Sequence, residues 1–101
     1  MDKITFLDPA EQEFYDAVRF YNSESEGLGF EFALEIKRTL ERIVQYPFAW
    51  HPLSRNTRRC RADRFPYGII YTVIEKQILV VAVMHLHKSP EHWYTRLTQT
   101  E

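Results

Sequence analysis

Five arginines, Arg55, Arg58, Arg59, Arg61 and Arg64, fall within ten positions, and Asp63 is the only acidic side chain among them. Positive charge this dense points to an anionic partner, either nucleic acid or an acidic protein segment. The alternative is a solvated strand edge, which Lys and Arg commonly guard against aggregation. Further along, His85 and His87 stand two apart. On a strand they share a face, as a metal pair or as acid–base groups that titrate near neutrality. Zinc needs a third protein ligand, and the adjacent Leu86, Lys88 and Ser89 offer none that is strong, so no metal is expected. Strand-end histidines bonded to backbone or a partner are the plainer reading. Tyr71 and Tyr94 could stack on a nucleobase or hand a proton to a leaving oxygen; otherwise they are amphipathic packing with the hydroxyl at the surface. Trp50 and Trp93 read as packing.

The chain has no Gly-rich phosphate loop, no pair of CxxC motifs and no nucleophile elbow. No cofactor is expected. A lone cysteine, Cys60, cannot close an internal disulfide and reads as a small buried hydrophobe in a reducing compartment. The net charge of −1 conceals a division. Residues 1–50 carry ten acidic and five basic side chains, whereas residues 51–101 carry four and eight. At 101 residues, 45% hydrophobic and 15% aromatic, the chain can build one core, and residues 1–101 are expected to form a single domain. The longest apolar run, Ile78 to Met84, is too short to span a bilayer. The N-terminus lacks a basic stretch leading into an apolar one, so no secretory signal or membrane association is expected. The expected location is the cytoplasm.

The elements that position these residues follow from periodicity. Lys3 to Leu7 reads as a first strand. Asp8-Pro9-Ala10-Glu11 reads as a helix start, with Asp8 as cap, Pro9 at the first helical position and Glu11 completing a capping box. That helix should fade near Asn22–Ser25. After Gly27 and Gly29, a second helix has Phe32, Ala33, Ile36, Leu40, Ile43 and Val44 on one stripe, with Glu35 among the polar residues opposite, and ends before Pro47. A connection so short predicts an antiparallel helical hairpin. From Thr57 to Arg64 the side chains alternate, with Cys60 and Ala62 on one face and Arg59, Arg61 and Asp63 on the other. Tyr67 to Glu75 is a strand by composition. Gln77 to His87 is another, with Ile78, Val80, Ala82 and Met84 facing one way and Leu79, Val81 and Val83 the other, as befits the middle of a sheet. Glu75-Lys76-Gln77 should join them as a hairpin. Ser89-Pro90-Glu91 opens a short helix through Trp93 and Leu97. The expected fold is α+β, in the order β-α-α-β-β-β-α: an N-terminal strand, an antiparallel helical hairpin, a mainly antiparallel sheet and a short C-terminal helix. The sheet face away from the hairpin should be partly open and carry the basic residues.

Arg64-Phe65-Pro66-Tyr67-Gly68-Ile69-Ile70-Tyr71 resembles the R-F-P-Y-x-I-x-Y stretch of ParE-type toxins. Val80 to Trp93, with Ala82, Val83, His85, Pro90 and Trp93 in step, resembles the family's final strand, v-x-A-V-x-H-x-x-R-x-P-x-x-W. The hairpin broken at Leu28-Gly29 and closed by Tyr46-Pro47 fits as well, so the likeness to the RelE/ParE superfamily covers nearly the whole chain.

The resemblance implies the toxin of a type II toxin–antitoxin system. Such a protein inhibits growth, stabilises plasmids, and is held inactive by a small, partly disordered antitoxin with an acidic binding segment. It also implies two different targets. RelE-type members cut mRNA on the ribosome, whereas ParE-type members poison DNA gyrase. Carried over from RelE-type nucleases, which lack a metal, the basic strand pair falls on Arg59 and Arg61, a later basic residue on Lys88 and the tyrosine on Tyr94. With His85 or His87 these form the candidate catalytic set of an endoribonuclease. The arginine that stabilises phosphate falls on Gly68, which has no side chain to offer. Guanidinium groups at the first two positions are also poor proton acceptors, and a pI near 6.4 does not suit binding to ribosomal RNA. A ParE-like protein poison is therefore favoured, with a degenerate, non-toxic binding module as a further alternative. Arg58, Arg59, Arg61, Arg64, Tyr71, His85, His87 and Lys88 are the expected antitoxin- or target-binding residues.

Overall fold

A computed structural model describes residues 3–88 and 93–100. Its centre is a five-stranded sheet. The N-terminal strand β1 (Ile4–Phe6) runs parallel to the last, β5 (Gln77–His85), with Ile4 opposite Ile78 and Phe6 opposite Val80. Beyond β5 come β4 (Tyr67–Ile74), β3 (Arg58–Arg61) and β2 (His51–Pro52), all antiparallel neighbours. Strand β3 is shorter than the expected 57–64, and β2 is a two-residue strand within what reads as a loop.

Helix α1 (Asp8–Glu24) begins where strand pairing stops. The Leu7 N–H donates to Val80 O at 3.0 Å, so Leu7 occupies the cap position and its carbonyl accepts from Glu11 N. Asp8 is therefore inside the helix and the expected capping box does not form; the register with β5 overrides local cap preference. Asp8 and Glu11 still oppose the positive end of the helix dipole. Helix α2 (Leu28–Gln45) follows a turn in which Gly27 adopts φ +85°. Gly29 permits the helices to cross closely: a Cβ there would lie 2.4 Å from Val18 O, and Asn22 Oδ1 accepts from its N–H at 2.9 Å.

The hairpin packs on one sheet face. Phe32, Ile36 and Ile43 of α2 meet Cys60, Ile69, Tyr71, Ile78, Val80 and Val83 in the larger core cluster. Glu35, expected on the polar side, is 4% exposed. It is retained there by work on the backbone: Oε2 accepts from Asp63 N at 2.7 Å and Arg64 N at 3.4 Å, tying down the turn after β3. The opposite face carries Ile70, Val81, Ala82 and Met84, covered in part by Trp93 and by Leu97 of α3 (Tyr94–Thr100). Ser89-Pro90-Glu91, expected to open that helix, lies outside the described residues.

A simple alternation fails along β5. Ile70 pairs with Ala82 while its neighbour Tyr71 pairs with Val80, which leaves Val81 as the extra residue of a bulge. The phase shifts by one, so Val83 joins Ile78 and Val80 on the hairpin side. Past β1 the edge of β5 is closed by side chains instead of a strand. Glu13 of α1 accepts from Val83 N at 3.1 Å, Arg96 of α3 donates to Val81 O at 2.9 Å, and the two side chains pair with each other at 2.8 and 2.9 Å. At the other end of β5, Ile74 pairs with Gln77. Glu75 (φ +51°) and Lys76 (φ +64°) thus form a two-residue turn with both central residues left-handed, without the glycine that such turns favour.

Candidate functional site

Side chains opposite one another on adjacent strands share a sheet face. Arg59 stands opposite Ile70 and Arg61 opposite Gly68, so both arginines project on the face partly covered by α3. The expected alternation of Arg59 and Arg61 against Cys60 holds. His51, opposite Arg59 in the other direction, joins the same row and is exposed. Neither guanidinium has an acidic partner among the described residues, and Arg59 Nε is buried with no acceptor. The stem of Arg59 lies over Gly68: a Cβ at that glycine would sit 3.1 Å from Arg59 Cγ and Cδ and 3.2 Å from a Leu86 methyl. A side chain starting there would need the Arg59 stem and Leu86 to give way by a few tenths of an ångström.

The other members of the cluster are dispersed. Arg58 stands opposite Tyr71 on the hairpin side, donates to Trp50 O at 2.9 Å and lies 5.8 Å from the Phe48 ring centroid. Arg64 pairs with Glu31 of α2 at 2.9 Å. Asp63, the one acid within the cluster, is taken by Arg42 of α2 at 2.8 Å; Arg42 also donates to Arg61 O. Arg55 is exposed in the loop before β3. Among the described residues, Arg55, Arg59 and Arg61 thus have no acidic partner, while Arg58 and Arg64 are partly engaged within the fold.

Tyr71 is a correction. It is 0% exposed, and its hydroxyl donates to Pro47 O at 2.6 Å, clamping the end of the helical hairpin to the sheet. A ring so placed cannot touch a partner. Burial, helped by the nearby Cys60 and opposed by Arg58, pushes its phenol up to about 12. Cys60 is buried as expected, and burial raises its thiol although Arg42 pulls the other way.

The histidines are close but not on one strand. β5 ends at His85, and His87 lies in the turn beyond it, with ring centroids 5.2 Å apart. His87 N donates to His85 Nδ1 at 3.1 Å, so a neutral His85 ring carries its proton on Nε2. His85 stands opposite Tyr67, whose ring packs on Tyr21 and Phe32, so it belongs to the hairpin side. Among the described residues no third His, Cys, Asp or Glu completes a metal-binding group with them. Lys88 is exposed beside a shallow cavity of about 250 Å³ that Glu13, Asp16 and His85 also line. Tyr94, half-exposed, packs at a tilt against Trp93 with centroids 4.2 Å apart. Arg59 and Arg61 therefore share one face, with Tyr94 on the helix that covers it, and His85 lies on the other.

Sequence reasoning passed over two features. Glu13 and Arg96 are 83 positions apart, and nothing local marks either. Phe48 and Ile74, 64% and 49% exposed, stand beside the arginine-rich segment, and no local pattern marks either as part of a surface site.

A sheet of this order, backed by a helical hairpin and capped by a short C-terminal helix, is the RelE/ParE toxin architecture. A structure of the chromosomal ParDE TA system from P. aeruginosa contains a similar chain: the TM-score is 0.72 at 14% identity, over 82% of this chain and 94% of that one. The isolated E. coli RelE toxin is similar too, with a TM-score of 0.64 at 15% identity over 98% of each chain. Among curated proteins, none matches by sequence. Residues 4–90 match the family model for the ParE toxin of the type II toxin-antitoxin system, parDE, and the chain belongs to that family.

Proposed function

We propose that this protein is a growth-inhibiting toxin neutralised by a cognate antitoxin, and that its target is a protein, DNA gyrase, rather than messenger RNA. The observation that carries the choice of target is that Gly68 stands where a metal-free nuclease would need its phosphate-stabilising arginine, while His85 lies across the sheet from Arg59 and Arg61. Cleavage at a ribose needs a base, a stabiliser for the crowded phosphorus and an acid around one phosphate. Arg59 and Arg61 project from one face of the sheet and His85 from the other. The space over Gly68 holds the Arg59 stem instead of a phosphate-binding side chain. The near-neutral overall charge also argues against a ribosomal RNA target.

The same face supports the antitoxin reading. Arg59 and Arg61 stand together with no internal carboxylate among the described residues, and an acidic segment laid across the sheet would supply one. Such coupled folding and binding covers a large surface for a small partner. The test is to induce the gene alone and follow DNA damage and RNA integrity together, alongside a supercoiling assay with purified gyrase. Inhibited supercoiling and a DNA-damage response with intact transcripts support the proposal. Transcripts cut on ribosomes, with gyrase unaffected, overturn it.

A further inference from the structure

β3 is only four residues long, and its pairing with β4 begins at Arg58 opposite Tyr71. The chain before it curls into its own turn, where Thr57 O accepts from Leu53 N and Ser54 N. Thr72, Val73 and Ile74 consequently pair with β5 alone, and their other edge faces a notch of about 440 Å³. Alternate residues of a strand turn their N–H and C=O to opposite sides, so at least one of these three presents both groups to the notch. Two arginines, Arg55 and Arg58, line it together with the exposed Phe48, and no carboxylate among the described residues does. Arg58 uses one donor on Trp50 O and retains others. An unpaired strand edge, an apolar flank and two guanidinium groups form the complement of an extended chain bearing aliphatic and acidic residues.

We propose that the edge of β4 at Thr72–Ile74 is a docking site for an extended acidic segment of a protein partner. The segment adds as a short strand in line with β3 and sets a carboxylate against Arg55 and Arg58. The notch lies apart from the Arg59–Arg61 row, and so gives the partner a second point of attachment. In identifying the partner with the antitoxin, the inference rests on the function proposed above; the site itself does not.

The probe is the synthetic peptide acetyl-Val-Glu-Val-Glu-Val-Glu-amide, titrated into the isotope-labelled full chain and followed by amide chemical shifts. Expected are shifts concentrated at Thr72, Val73, Ile74 and the Arg55 loop. The Arg55→Glu protein should bind at least about fivefold more weakly, as should a peptide N-methylated at alternate residues. Arg55 is exposed in a loop, so the variant keeps the fold. An absence of shifts at saturating peptide, shifts elsewhere, or undiminished binding in either control overturns the proposal. Tighter binding of an oligothymidylate of equal charge at the same residues also overturns it, in favour of nucleic acid. Growth arrest on induction decides the toxin reading separately, so a chain that arrests growth but ignores the peptide sinks the notch alone.

Discussion

Tyr71→Phe should reverse its effect on stability between neutral and alkaline pH. In the native state the phenol is wholly buried and donates to Pro47 O, and its pKa is pushed from 10.0 to about 12. At pH 7 the substitution removes one buried hydrogen bond and leaves a carbonyl unpaired, a loss of about 1.5 kcal/mol. A tyrosine kept neutral by the fold contributes stability that is fully present below its unfolded pKa. That contribution drains away as pH climbs toward the folded one. Each unit is worth about 1.4 kcal/mol, so about that much is gone by pH 11, and roughly 3 kcal/mol well above pH 12. The phenylalanine variant has nothing to titrate at this position. The two proteins should therefore be about equally stable near pH 11, with the variant ahead beyond it. Tyr21 and Tyr67, also raised by burial, titrate in both proteins and cancel in the comparison. Urea denaturation followed by far-UV circular dichroism, at half-unit steps from pH 7 upward, measures the difference. Parallel curves for the two proteins would show that the Tyr71 phenol is not held in its neutral form by the fold.

Three further outcomes are expected. Gly29→Ala should lower stability by about 2 kcal/mol, because the clash with Val18 O outweighs the gain in helix propensity; an unchanged melting temperature would mean that the helices separate freely. Replacing Glu75 and Lys76 by Asn and Gly should raise stability by about 1 kcal/mol, since both residues hold a left-handed backbone that the new pair adopts readily. A thermal melt with no gain would place the strain elsewhere. Arg59→Ala combined with Arg61→Ala should weaken antitoxin binding most at low salt, where charge pairs are least screened; equal affinity for variant and parent across a salt series would remove these arginines from the interface.

The element order was legible because the helices are long and strongly periodic, and because Gly27 and Pro47 punctuate them. β4 was equally plain from its β-branched and aromatic composition. The bulge at Val81 was hidden for a physical reason: Ile78 to Met84 is apolar throughout, so a one-residue insertion changes which way each side chain faces without leaving a polar residue out of phase. Glu35 was misplaced because its partners are backbone N–H groups 28 and 29 positions away. The site was legible only as composition. Spacing along β3 correctly put Arg59 and Arg61 on one face, but it could not reveal that Arg42 would claim Asp63 or that Glu31 would pair with Arg64. Tyr71 looked available because its hydroxyl finds its acceptor at Pro47, across a loop that has no regular period.

The pairing of β1 with β5 governs how the protein is born. Among the described residues the first strand pairs only with the last, and the α1 carboxylate that seals the sheet edge waits for a guanidinium at position 96. Contacts this distant along the chain form late. A nascent or truncated chain ending before residue 78 has no mate for its opening segment, and one ending before residue 96 lacks the clip between its two layers. The surfaces on both sides of the sheet therefore arise together, only after residue 96 has been added, so fragments that stop short of it do not carry the shape of the whole.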